Sequence, residues 1–340
     1  MRTRKWLRRI GAVVGGLVIL YFVAALALTF WPEPTFATDP EVALARISES
    51  EDVQEEPQAY EEARFTMRDD VELFGRRFAA DADTTVLFVH GVASESSKLN
   101  QTAGLIRAAG PVEVVALDLR GHGASGGRPW DIDYIGQYES DLADVVAEIR
   151  ASKPAGKIVL AGHSMGGGIA LRYALLPDAP HVDAYLLFAP NLGINSPTAR
   201  TEPAEAADPD VEATLKLHVP RILGLALLNA VGVTGLNGLP TMIFNLPPEL
   251  PMRAYSFRAM ATTSPDDHAV ALAAVSEPLL VLVGSNDEAF HGEQYGPVVT
   301  AHSDGDVEIV DGETHDGILR NEAAMAAVRE WLATLESASR

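Results

Sequence analysis

Residues 157–170 read Lys157-Ile158-Val159-Leu160-Ala161-Gly162-His163-Ser164-Met165-Gly166-Gly167-Gly168-Ile169-Ala170. The first five residues form a short apolar, partly β-branched run, the pattern of a buried strand. Gly162-His163-Ser164-Met165-Gly166 fits G-x-S-x-G, and the residues after it, Met165–Leu175, have the spacing of a helix. A chain that passes from strand to helix within so few residues needs small side chains on both sides of the turn. The turn lifts the serine hydroxyl out of the sheet at the start of a helix. Free N–H groups and the positive end of the helix dipole favour an anion there. Ser164 is therefore a candidate nucleophile, with the N–H of Met165 as a candidate oxyanion donor.

Outward from this turn the chain alternates between strand and helix patterns. Ala63–Arg68 and Val71–Phe78 read as a hairpin turned at Asp69-Asp70, and 84–89 as a buried strand closed by Gly91. Ser96–Ala109 reads as a helix, Val112–Leu119 as a strand and Ile132–Arg150 as a helix. Val182–Phe188, Pro278–Val283 and Asp306–Val310 read as strands, and Glu322–Leu335 as a closing helix. Such alternation implies an α/β fold with a mostly parallel sheet covered by helices on both faces.

A serine hydroxyl needs a base, and the base needs an orienting acid. Nine histidines are available, and His315 has the best setting, in the Gly-flanked loop Gly312-Glu313-Thr314-His315-Asp316-Gly317 after the last strand. Asp287 lies just past the strand that ends near Val283, with Glu288 as the fallback acid and Asp316 read as a surface residue. Both loops follow the C-terminal ends of strands, where open α/β sheets bind ligands. A second oxyanion donor is expected from His90-Gly91-Val92-Ala93, with Val92 N–H preferred and His90 tying the loop.

The order Ser164, Asp287, His315 is that of the α/β-hydrolases. Asp118-Leu119-Arg120-Gly121-His122-Gly123-Ala124-Ser125 resembles the D-x-R-G-H-G-x-S segment of their monoacylglycerol lipase, lysophospholipase and serine aminopeptidase-like branch. His90-Gly91, the Gly162–Gly167 turn and the loops at Asp287 and His315 resemble the same branch, over roughly Ala63 to Leu335. The resemblance implies an eight-stranded, mostly parallel sheet and a serine hydrolase of lipid-like or small acyl esters, of lysophospholipase, lipase or carboxylesterase type. It implies a cap between the sixth strand and the acid strand, and structural roles for Asp118, Arg120 and His122. The core is then 61–190 with 268–340, and 191–267 is a cap expected to be helical. The cap holds a broken apolar run over Val219–Pro248. That run either packs the cap onto the core, lines an acyl pocket or touches lipid.

Two other functions share these residues. Peptide cleavage or acyl transfer needs the same triad, and an aminopeptidase also needs an acidic subsite, for which Glu202, Glu205 and Asp208 are candidates. A catalytically silent, membrane-anchored binding protein is the reading from another class. Epoxide hydrolases and haloalkane dehalogenases of this fold carry Asp at the turn, and Ser164 argues against them.

The amino terminus adds a membrane segment. Residues 1–9 are basic, and Ile10–Trp31 is a 22-residue stretch without charge, long enough to cross a hydrocarbon core of about 30 Å. The cations before it imply a single-pass anchor with its N-terminus cytoplasmic and its body outside. The competing reading is a signal peptide cleaved after Ala25-Leu26-Ala27 and a secreted body. Residues 32–60, with Pro32, Pro34, Pro40 and Pro57, read as a linker.

Composition closes off other classes. The 340 residues include no cysteine, which removes thiol nucleophiles, Cys-ligated metals and CxxC redox motifs. No H-E-x-x-H and no dinucleotide or P-loop glycine pattern occurs, so no metal or cofactor is expected. Net charge is −21; beyond the five N-terminal cations, 21 basic residues face 47 acidic ones, leaving −26. A body so acidic disfavours nucleic acid, whose phosphates need a basic footprint.

Overall fold

The computed structural model describes residues 2–44, 58–200, 214–250 and 252–337. The chain forms two compact units, Glu51–Pro209 with Ala261–Arg340 and Met1–Ser50 with Asp210–Met260. The stretch expected as a cap, 191–267, is divided between them.

The larger unit holds an eight-stranded sheet. Its strands are β1 (Glu61–Thr66), β2 (Glu72–Phe78), β3 (Thr84–Val89), β4 (Val112–Leu117), β5 (Lys157–His163), β6 (Ala184–Phe188), β10 (Leu279–Gly284) and β11 (Asp306–Val310). The order is β1-β2-β4-β3-β5-β6-β10-β11. From β4 to β11 every pairing is parallel, and the β1–β2 hairpin adds antiparallel at one edge. Asp70 turns that hairpin with φ at +64°, a conformation that Asp tolerates better than most side chains. The parallel register pairs Val89 with Gly162, His163 with Phe188 and Gly284 with Val310. The loops after β3, β5, β10 and β11 therefore leave the sheet at the same edge.

Beneath that edge β3, β5, β6 and β10 are buried on both faces, which explains their continuous apolar runs, while β11 at the margin is mostly exposed. Phe88, Phe188, Val159, Leu186 and Leu282 pack with Ile106 and with Val328, Trp331 and Leu332 of the closing helix, Glu322–Ser337. One helix begins later than its pattern suggests, at Gln137 rather than Ile132. Gly136 sits at φ +98°, outside helical geometry, and Arg128 takes the Ile132 carbonyl at 2.8 Å. The sequence pattern carried no sign of that side-chain competition for the backbone.

The smaller unit departs from the helical cap expected of the sequence. It contains a three-stranded antiparallel sheet of β7 (Leu215–Leu217), β8 (Pro240–Phe244) and β9 (Ala254–Ser256). Pro240, Pro247 and Pro248 cannot continue a helix, and Thr241 and Ile243 favour extended backbone. Two helices complete the unit, α1 (Arg2–Thr29) and α2 (Val219–Ala230). They share a cluster of Ala25, Leu225, Leu228 and Phe257. Of the linker, 45–57 lies outside the described residues.

Candidate active site

Ser164 stands between β5 and the helix Met165–Ala174 with φ +52° and ψ −115°. A non-glycine residue in such backbone costs on the order of 1–3 kcal/mol and persists only where its surroundings enforce it. Here they do. Ser164 N–H donates to the Phe188 carbonyl at 2.9 Å, and the Ser164 carbonyl accepts from Asn191 at 2.9 Å and Gly168 at 3.1 Å. Gly166 presses the turn against β3, where a Cβ would lie 2.3 Å from the Val89 carbonyl oxygen. This close approach is the physical reason for glycine at that position.

His315 and Asp287, far apart in sequence, meet with His315 Nδ1 2.8 Å from Asp287 Oδ2. The loop after β10 pre-sets the carboxylate. Its Oδ1 accepts from the N–H groups of Ala289 and Phe290, both at 2.8 Å, leaving Oδ2 for the imidazole. Asp287 is fully buried and His315 nearly so. Burial alone would lower the His315 pKa. The Asp287 hydrogen bond and charge, with the charges of Asp316 and Glu288, outweigh it and hold the imidazole above its ordinary value. With Nδ1–H on Asp287, Nε2 carries the lone pair of the neutral ring.

Glu288 accepts the backbone N–H of His315 at 3.0 Å and so braces the loop. Asp316 is a surface side chain. Three further residues take part that the sequence did not single out. Arg200 donates to the Asp287 carbonyl at 2.7 Å, and Phe290 sets its ring edge-on to His315. His163, beside Ser164 in the turn, lies 4.8 Å ring to ring from His315 and donates from Nε2 to the His315 carbonyl at 3.1 Å. Burial, with the positive charge of His315, pulls its pKa down to about 4. His163, His315 and Asp316 gather ligand-type atoms within 4.8 Å, but His163 Nε2 carries a proton here and His315 Nδ1 is committed to Asp287. The position of His163 inside the motif was a usable signal; Arg200 had none in the local sequence.

The loop after β3 runs along the same turn. A Cβ on Gly91 would lie 3.4 Å from Ser164 Cβ and 3.2 Å from His163 Nδ1. His90 ties this loop, its Nε2 accepting from Leu119 N–H at 3.1 Å. That fixes the proton on Nδ1, which donates to the Gly91 carbonyl at 2.8 Å. Met165 N–H opens its helix and has no intrahelical acceptor. The Asp118–Ser125 segment is structural. Asp118 accepts from Ala124 N–H at 2.8 Å, and Arg120 spans Asp69 and Asp141 at 2.7 to 2.9 Å. Burial pulls the His122 pKa down to about 3. Glu202, Glu205 and Asp208 lie outside the described residues.

The family model of the serine aminopeptidases, S33, matches residues 80–232. A monoacylglycerol lipase of Mycolicibacterium smegmatis is 30% identical over 156 residues, 40% of this chain and 55% of that protein. The chain thus spans about half the length of this curated relative. Among solved structures, DcsB in complex with its substrate analogue superposes with a TM-score of 0.58 at 18% identity, covering 82% of this chain and 99% of that one. A bacterial membrane phospholipase A superposes with a TM-score of 0.55 at 20% identity, covering 96% of this chain and 99% of that one. Strand order, the turn at Ser164 and these likenesses agree: the chain has the α/β-hydrolase fold, and over residues 80–232 it is similar to the S33 serine aminopeptidases.

Proposed function

We propose that the protein is a membrane-anchored serine hydrolase that cleaves lipid-like or small acyl esters. The observation that carries this reading is the buried Asp287–His315 pair, 2.8 Å apart, with His315 reached from the Ser164 turn through His163. Ser164 Oγ attacks the ester carbonyl and passes its proton to Nε2 of His315. The negative charge on the carbonyl oxygen is met by the N–H groups of Val92 and Met165. Collapse of the tetrahedral adduct breaks the bond to the alcohol, which leaves with the proton from His315. A water then repeats the sequence on the acyl-serine and releases the carboxylic acid. Asp287 keeps the imidazole in the required tautomer and stabilises the imidazolium.

Similarity to a monoacylglycerol lipase supports an acylglycerol-like substrate. The 21-residue apolar helix Arg9–Thr29 supports anchoring. The test is hydrolysis of p-nitrophenyl esters from acetate to palmitate by the full chain in detergent. Wild-type turnover that is lost in Ser164→Ala is expected, with a peak at medium or long chains for a lipid substrate. Turnover retained in Ser164→Ala would overturn the assignment. Peptide cleavage by the same residues is the second reading, favoured by the S33 family model. Labelling of Ser164 by a fluorophosphonate without ester turnover would select it.

A further inference from the structure

We propose that α2 and the turn after it, 231–235, lie inside the bilayer beside α1, in contact with lipid acyl chains. The proposal rests on the anchor reading of α1. The two helices run antiparallel in close contact. His218 Nε2 lies 3.0 Å from the Trp31 carbonyl. Arg221 Nε donates to the Thr29 carbonyl at 3.0 Å. Gly224 meets Ala25 and Thr29 so closely that a Cβ there would stand 2.5 Å from Thr29 N. The Tyr21 hydroxyl donates to the Leu227 carbonyl at 2.5 Å. From Thr29 to Tyr21 is eight steps of helix, about 12 Å, so α2 follows α1 through roughly two-fifths of a hydrocarbon core of about 30 Å.

The chemistry of α2 changes along this path as a bilayer requires. Its one charge, Arg221, sits near the Trp31 end, where it is buried and held by the Thr29 and Pro240 carbonyls and by Glu33. From Ile222 to Pro248 there is no charged residue, in a chain with 47 acids. The face turned away from α1 is apolar. Val219 and Leu223 are 54% and 53% exposed, and Ala226 and Ala230 continue the same face at helical spacing. Val231 and Val233 extend it into the turn, also exposed. Small-residue contact at Gly224 is a common way for helices to pack in lipid. On α1, Val18, Leu20 and Val23 are exposed as well.

The absence of cysteine makes the test direct. Single variants Val219→Cys, Leu223→Cys, Ala226→Cys and Val233→Cys of the full chain are labelled with an environment-sensitive NBD dye in phosphatidylcholine vesicles. Leu17→Cys serves as the membrane reference and Ser276→Cys as the aqueous one. Circular dichroism checks each fold, with Ala230→Cys replacing any position that fails. Expected is loss of iodide quenching at the α2 positions, as at Leu17. Quenching by doxyl groups on the acyl chains should deepen from Val219 through Leu223 to Ala226. Iodide access at Leu223 and Ala226 equal to that at Ser276, with Leu17 protected, would overturn the proposal. So would protection from both quenchers, which marks a protein cover such as a second copy. Iodide access at Leu17 itself would instead overturn the anchor reading.

Discussion

In the proposed mechanism His315 acts as a base only when neutral, and its pKa is held above the ordinary histidine value. The acid limb of the rate profile is therefore expected to have its midpoint above about 6.5. Asp287→Asn removes the group that raises the pKa while burial remains. That limb should move to lower pH, and the rate should fall by roughly 10⁴ as the tautomer is lost. Both effects are read from kcat/KM against pH. Gly166→Ala would force a Cβ to 2.3 Å from the Val89 carbonyl, so the Ser164 turn must shift. Fluorophosphonate labelling of folded Gly166→Ala is expected to drop at least about tenfold, since misplacement by an ångström is costly. Ser164, Asp287 and His315 were legible because each follows the end of a strand in a small-residue loop. Arg200 and Phe290 were not, because their contacts join loops whose sequences carry no local pattern for them.

Among the elements, the segment after β4 carries the best-defined stability term. Arg120 and Asp141 are both buried, and Asp69 completes the fork. Arg120→Ala would leave the buried Asp141 carboxyl without its partner, at a cost of about 3–5 kcal/mol. A lower urea midpoint with an unchanged m-value would record it. The inner strands β3, β5, β6 and β10 were legible because burial on both faces produces uninterrupted apolar runs. The stretch 191–267 reads as helical because Leu-rich composition does not distinguish helix from short antiparallel strands; its prolines do. The late start at Gln137 illustrates the same limit, since one arginine capturing one carbonyl decided it.

For the molecule as a whole, α1 is part of the folding unit that contains α2. A chain starting at Glu33 loses the helix that covers Gly224, Leu225 and Leu228. Such a truncated protein is expected to elute as aggregates in size-exclusion chromatography without detergent, while the full chain in detergent elutes as a defined species. An intact-mass measurement on membrane-extracted protein is expected to show that Ala25 to Ala27 is not a processing site, because cleavage there would remove Ala25 from its cluster. The acidic body and the cation-rich first nine residues were plain in the sequence. The pairing of α1 with α2 was not, because nearly two hundred residues separate them.

The proposed anchoring by an apolar helix of 21 residues would also change what substrate concentration means. A protein tethered by it searches in two dimensions, and its encounters scale with the mole fraction of ester in the surface rather than with moles per litre. Diluting the ester with inert phospholipid at constant bulk concentration should therefore slow the full chain in proportion. Adding more vesicles of the same composition, with protein and ester kept together in them, should leave the turnover per protein unchanged.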